Sequence, residues 1–190
     1  MMTQIIEKFW YLLSQTIYAA SFAKVGKRSL IFKPLQIDGR RSIYIDDDVY
    51  ISQNAWLIGN KDKEVTLHIS PKTTIGHYVH IVAMKSVIIE ESVLIADKVF
   101  ISDCTHNYEN IEVPVKEQGI KQLSQVTIGE GSWLGENVCV LGASIGKHCV
   151  IGSNSVVISD IPDYCVAVGS PAKVVKKYDI VKNEWSKVKV

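Results

Sequence analysis

Six-residue steps recur through most of this chain: aliphatic, small or acidic, two polar residues, small, any residue. The clearest runs are 45–50, 51–56, 75–80, 89–94, 95–100, 101–106, 128–133, 134–139 and 151–156. A unit this short cannot bury its own apolar side, so successive units must stack and share one core. The leading aliphatic of each step is expected inward. So is the small residue four places on: Val49, Ala55, Thr73, Val79, Val93, Val99, Thr105, Ser132, Val138, Cys149 and Ser155. Three such strands close a triangular coil of about 18 residues, so the pattern predicts an all-β, parallel β-helix.

The other segments flank or interrupt that coil. Apolar residues at Ile5, Phe9, Leu12, Leu13, Ile17 and Ala20 have three- and four-residue spacing and predict an amphipathic helix over the first twenty or so positions. Two uses compete for it: a lid over the open end of the stack, or weak contact with a membrane surface. The expected organisation is a helix and connector over 1–41, the β-helix over 42–160 and a tail over 161–190. Interruptions in a stack become surface loops, often at the binding face. Residues 60–64 form a short charged one. Lys85 falls where a small inward residue is due, and Val87 and Ile88 exceed the count, so the corner at 83–86 is expected to be distorted. The largest interruption, 107–125, has no strand period and is expected to leave the coil directly after His106.

Composition narrows the partners. With 21 Lys and Arg against 20 Asp and Glu, no overall basic field exists to hold nucleic acid. Cys104, Cys139, Cys149 and Cys165 form no C-x-x-C pair, so reduced thiols and a cytoplasmic location are expected, with Cys149 packed in the core. The opening segment has neither a basic leader nor a long uninterrupted apolar span. No signal peptide or membrane crossing is expected, and the helix leaves a peripheral position at the inner membrane face as a second option.

His106 is the residue that suggests chemistry. It takes the last position of its step, which points outward at Tyr50, Trp56, Phe100 and Trp133, and it borders the 107–125 loop. A neutral imidazole near pH 7 can accept a proton from an attacking group and return it to a leaving group. Asp103, three residues earlier, could bind acceptor hydroxyls, orient that ring or simply be a solvated turn residue. Cys104 raises a nucleophile reading, but no neighbour in sequence would lower its pKa. His80 is outward in a neighbouring coil and could touch an acceptor. His68, His77 and His148 read as turn or surface residues.

The stretch 101–106 (Ile-Ser-Asp-Cys-Thr-His), the Pro114, Gln118 and Gly119 loop, the 133–137 coil (Trp-Leu-Gly-Glu-Asn) and the closing Asp160-Ile161-Pro162 with Gly169-Ser-Pro-Ala-Lys173 together resemble one family. It is the acetyl-CoA dependent sugar O-acetyltransferases of the hexapeptide-repeat superfamily. The pattern is most similar to the lipopolysaccharide and capsule O-acetyltransferases, alongside the galactoside and maltose enzymes, over about residues 43–178. The resemblance implies a left-handed β-helix and a homotrimer with active sites between subunits. It implies His106 as catalytic base, acetyl-CoA as cosubstrate with no metal, and a saccharide or glycan intermediate as acceptor, for which Asp103 and His80 are by their positions the candidate contacts. Family cofactor contacts carry over to Gly135, Ser153, Ser159, Lys173 and Lys176, with Trp133 flanking the thioester and a backbone N–H of 133–137 facing the oxyanion.

Some residues depart from the family pattern. The step 140–144 is one residue short, lysine replaces arginine at 173 and 176, and Asp160 follows Ser159 where the family has lysine. Alternative functions on the same scaffold are N-acetyl transfer to an amino-sugar nucleotide, a γ-carbonic-anhydrase-like zinc site from His77, His80 and His106, and a solenoid without catalysis.

Overall fold

The computed structural model describes residues 2–188; Met1, Lys189 and Val190 lie outside the described residues. A helix, α1 (Met2–Leu13), continues through a π-helical turn over Ser14–Tyr18 into a last turn at Ala19–Ser21. The β-helix follows with three faces, each a ladder of parallel strands. The first face stacks Lys24–Val25, Ile43–Ile45, Leu67–Ile69, Val87–Ile89 and Val126–Ile128, and single bridges at Ile145 and Ile161 extend it. The second face stacks Leu30–Ile31, Tyr50–Ile51, Thr74–Ile75, Leu94–Ile95, Trp133–Leu134, Val150–Ile151 and Cys165–Gly169. The third stacks Gln36–Asp38, Trp56–Gly59, His80–Ala83, Phe100–Ser102, Cys139–Leu141 and Val156–Val157.

The core forms as the steps predict. Ile31, Ile51, Ile75, Ile95, Leu134 and Ile151 stand above one another in the second-face register, all fully buried. Of the eleven expected small inward residues ten are buried, Cys149 among them; Thr105 alone is only half-buried. Each fully buried Ile, Leu or Val contributes roughly 1.5–3 kcal/mol, before the entropy of ordering the chain is set against it. Corners turn on residues with positive φ, such as Asn54, Asn137 and Asn154, where a short polar side chain tolerates the left-handed region.

The helix closes one end of the stack. Tyr18 and Phe22 join the core cluster, with Trp10 and Leu13 packed against it. Ser14 Oγ accepts the Ile31 N–H at 3.0 Å, and Gln15 Nε2 donates to the carbonyls of Gly26 and Ser29. The backbone edge that an open stack would leave unpaired is thus partly satisfied by helix side chains.

Both ends of the coil extend past the expected limits. A full coil, 24–38, precedes residue 42. Val25, Ile31 and Ile37 keep the six-residue spacing there, but exposed Leu35 and Arg41 occupy the small-residue places and hide the repeat. At the other end Cys165–Gly169 adds a parallel strand beyond Asp160, Ala172–Asp179 folds back on it antiparallel, and Glu184–Lys187 pairs antiparallel with Ala172–Asp179 in turn. The tail, through Lys187, is therefore largely sheet.

Candidate active site

Asp103, not His106, is where the chain leaves the coil. Its side chain is buried: one carboxylate oxygen accepts the Met84 N–H at 2.9 Å, and the other accepts those of Lys85 and Ser86, each at 2.7 Å. Its carbonyl accepts the Leu123 N–H at 2.8 Å and the Gln122 side-chain amide at 2.5 Å. One residue thus clasps the outgoing strand, the returning strand and the irregular corner at 84–86. This corrects the expectation that Asp103 meets the acceptor: the carboxylate is committed to backbone amides and does not line the cavity beside it.

Beyond Asp103 the chain forms an arm. Cys104–His106 pairs antiparallel with Ile120–Gln122, and Val115–Glu117 makes a 3-10 turn between them, so the excursion holds a strand that its sequence did not announce. Thr105 and His106 therefore sit on this arm and not in a coil step, and Thr105 escapes the core for that reason. Gln118 braces the far end: its side chain donates to the carbonyls of Asn110 and Val113 and accepts the Asn110 N–H. His106 faces outward as expected, although the arm and not the hexad register puts it there.

Arm and third face enclose a cleft of about 540 Å³ lined by Ile58, His80, Val82, Met84, Phe100, Ser102, Cys104, Thr105, His106, Ile120 and Leu141. His106 is exposed at its edge. His80 lies deeper, stacked on Trp56 at 4.2 Å between ring centroids and 5.1 Å from Phe100. Buried His80 Nε2 and Trp56 Nε1 have no hydrogen-bond partner among the described residues. Burial lowers the His80 pKa from its ordinary 6.5 and keeps the ring neutral. Below about pH 6.5 the unfolded chain takes up this proton before the folded one does, so this group costs stability as pH falls through that value. His80→Phe is expected to flatten that fall, as read by urea unfolding at about pH 5 and about pH 7.

Burial also raises the Cys104 thiol, whose neighbour Ser102 only partly offsets it, so the thiolate needed for a covalent route is disfavoured. His77 bonds Asp97 through its backbone N–H at 2.7 Å and its ring at 3.1 Å. Among the described residues no three His, Cys, Asp or Glu side chains converge as metal ligands would.

The residues expected to hold the cofactor lie elsewhere. Trp133 projects from the second face, 47% exposed. Gly135 follows it, packed so closely on the next coil that a Cβ there would stand 2.7 Å from the Ser153 nitrogen. Ser153 and Ser159 are exposed at corners of the coil, and Lys173 and Lys176 are exposed on the antiparallel strand that extends the second face. One chain thus brings His80 of the third face and His106 of the arm to one cleft and displays Trp133 and the two lysines along the second face.

No family model matches the chain. Over 124 residues, 63% of its length, it is 44% identical to a probable acetyltransferase of Mycobacterium tuberculosis, spanning 41% of that protein. Over 125 residues, 62% of its length, it is 42% identical to WbbJ of Escherichia coli, a putative lipopolysaccharide biosynthesis O-acetyl transferase, spanning 64% of it. The chain therefore spans less than two thirds of these relatives. Among solved structures it is similar to AntD, an N-acyltransferase from Bacillus cereus, in complex with dTDP and 3-hydroxybutyryl-CoA. There the TM-score is 0.70 at 17% identity, covering 88% of this chain and 90% of that one. It is also similar to a galactoside acetyltransferase in complex with coenzyme A, with a TM-score of 0.60 at 21% identity, covering 98% and 88%. The chain is a left-handed parallel β-helix protein, with the hexapeptide-repeat fold of the acetyltransferases it resembles.

Proposed function

We propose that this chain is an acetyl-CoA dependent acyltransferase that acetylates a saccharide hydroxyl, in surface-glycan assembly such as that of lipopolysaccharide or capsule, with His106 as general base. The observation that carries this reading is an exposed imidazole held on a clamped arm at the edge of a cleft, in a coil whose sequence relatives are named acetyltransferases. His106 takes the proton of the acceptor O–H as its oxygen attacks the thioester carbonyl carbon. The tetrahedral adduct then collapses with cleavage of the C–S bond, and the imidazolium returns the proton to the leaving thiolate.

An amide N–H facing the oxyanion typically contributes about 10²–10³-fold. Within 133–137, the amides of Trp133, Gly135 and Asn137 donate to Cys149, Ile151 and Asp97 carbonyls, and Leu134 is buried. The N–H of exposed Glu136 is the donor that coil has left to offer.

Because Trp133 and the lysines stand on a different face from His106, base and cofactor grip meet across a contact between copies. This supports a homotrimer with sites between subunits. Lys173 and Lys176 suit coenzyme A phosphates as mobile cations, with Ser153 and Ser159 nearby on the coil. The double variant Lys173→Ala/Lys176→Ala is expected to raise KM for acetyl-CoA by about tenfold or more with kcat nearly unchanged, measured by free-thiol release. The four free cysteines fit a reducing compartment such as the cytoplasm.

A second reading is transfer to the amine of a sugar nucleotide, since the N-acyltransferase AntD is also solved with dTDP-4-amino-4,6-dideoxyglucose. An acetyl-CoA consumption screen over free sugars, oligosaccharides and amino-sugar nucleotides separates the two. Turnover with none of them, at concentrations where the protein is folded, overturns the proposal.

A further inference from the structure

The helix that lids the coil has two apolar sides. Trp10, Ser14 and Tyr18 face the coil, whereas Ile5, Phe9, Leu12 and Ile17 are each about 60% exposed. At 100° per residue Ile5, Phe9 and Leu12 lie within a narrow arc opposite Ser14. The stripe therefore faces away from the stack, across the flat end of the prism. No helix among the described residues is long and apolar enough to cross a membrane.

The same end of the molecule is rich in cations, and the coil supplies most of them. The corners of the first coil carry Lys27 and Arg28, then Lys33, then Arg40 and Arg41. Two of these touch the helix or the residue that ends it, and a third reaches it through Phe32. Lys33 covers Phe32, whose ring meets Trp10; the Arg40 guanidinium lies 5.2 Å from the Tyr18 ring; and Arg41 donates to the Phe22 carbonyl. Arg28 is spent on Asp48, and Lys24 on Asp46. Lys8, Lys27, Lys33, Arg40 and Arg41 form no ion pair with a carboxylate among the described residues; the acids at this end are Glu7, Asp38 and the 46–48 corner, where Asp46 and Asp48 take Lys24 and Arg28 and Asp47 accepts the Lys27 backbone N–H. Residues 1–41 hold seven Lys and Arg against two Asp and Glu, while the remainder holds fourteen against eighteen. The chain is close to neutral overall but basic at the one end that also exposes an apolar helix.

We propose that this end lies on an anionic lipid bilayer, with Ile5, Phe9, Leu12 and Ile17 inserted at the headgroup boundary and the corner cations against lipid phosphates. An apolar stripe flanked by cations is the pattern that partitions into the interface without spanning it. The helix alone lacks the charge for this, and the coil corners supply it. If the homotrimer proposed above holds its coil axes parallel, three stripes share one plane and bind with avidity. The inference otherwise stands apart from the acyl-transfer reading.

The test is co-sedimentation of the whole protein with phosphatidylcholine vesicles, with and without phosphatidylglycerol. Wild type is expected to pellet with the anionic vesicles and to be released by raised salt. Phe9→Ser/Leu12→Ser is expected to weaken binding by about a hundredfold, and Lys33→Glu/Arg41→Glu by at least about twentyfold. Acetyl transfer to a soluble acceptor stays unchanged in both variants, which separates failure of this proposal from failure of the enzymatic one. Equal pelleting by wild type and Phe9→Ser/Leu12→Ser overturns the proposal. So does a wild type that ignores both vesicles but pairs end to end in a way that Phe9→Ser/Leu12→Ser abolishes, since a second copy would then cover the stripe.

Discussion

Replacing His106 with alanine is expected to lower kcat for acetyl transfer by about 10²–10⁴-fold, with KM for acetyl-CoA and the unfolding midpoint unchanged. The expectation follows from placement. His106 is exposed on the arm, contributes little to the core and pairs with Ile120 only through the backbone, so the substitution removes an imidazole and little else. Steady-state thiol release with urea unfolding as control checks both halves. The size of the loss also identifies the acceptor atom. An amine that is already neutral needs less help to lose its proton, so a loss smaller than about tenfold selects the amino-sugar reading over the hydroxyl one.

The second large effect is structural and centres on Asp103. Asp103→Ala would strip the acceptor from three N–H groups, those of Met84, Lys85 and Ser86, at the base of the cleft. Each buried donor left unsatisfied costs about 1–3 kcal/mol, so a destabilisation on the order of 3–5 kcal/mol is expected once water and local relaxation recover part of it. Denaturant unfolding measures that quantity. Amide hydrogen exchange is expected to quicken first at 84–86 and along the 104–106 and 120–122 strands, which share the clasp. Asp103→Asn keeps the volume and one acceptor oxygen and is expected to retain roughly half of the stability lost in the alanine variant. A fully stable Asp103→Ala would contradict the clasp.

These two residues also show what was legible in the chain. The stack could be read because the leading aliphatics recur at fixed spacing and the triangular cross-section gives them only one place to go; Ile45 to Ile151 all entered the core. His106 was found as an outward histidine beside a long interruption. Asp103 was seen but misplaced. Its partners lie 17–19 residues away on a neighbouring coil, and a hydrogen bond between coils leaves no periodicity. A signal was present at the receiving end: Lys85 sat where a small residue was due, and such a corner needs an outside acceptor for its stranded amides. The first coil was missed because exposed Leu35 and Arg41 fill positions the repeat reserves for small residues. The basic end was missed for a different reason. The cations belong to coil corners and the stripe to a helix, and only the fold brings them together.

The clasp at Asp103 also bears on how such a chain can change. The strand at 87–89 pairs in register with 67–69 on one side and 126–128 on the other. The 103–125 excursion therefore departs from a corner and returns to it without shifting any coil above or below. Its length and composition can vary while the stack keeps its stability. On the acyl-transfer reading proposed above, a new acceptor preference would need only the exchange of this one segment, provided that its first residue still accepts three amides.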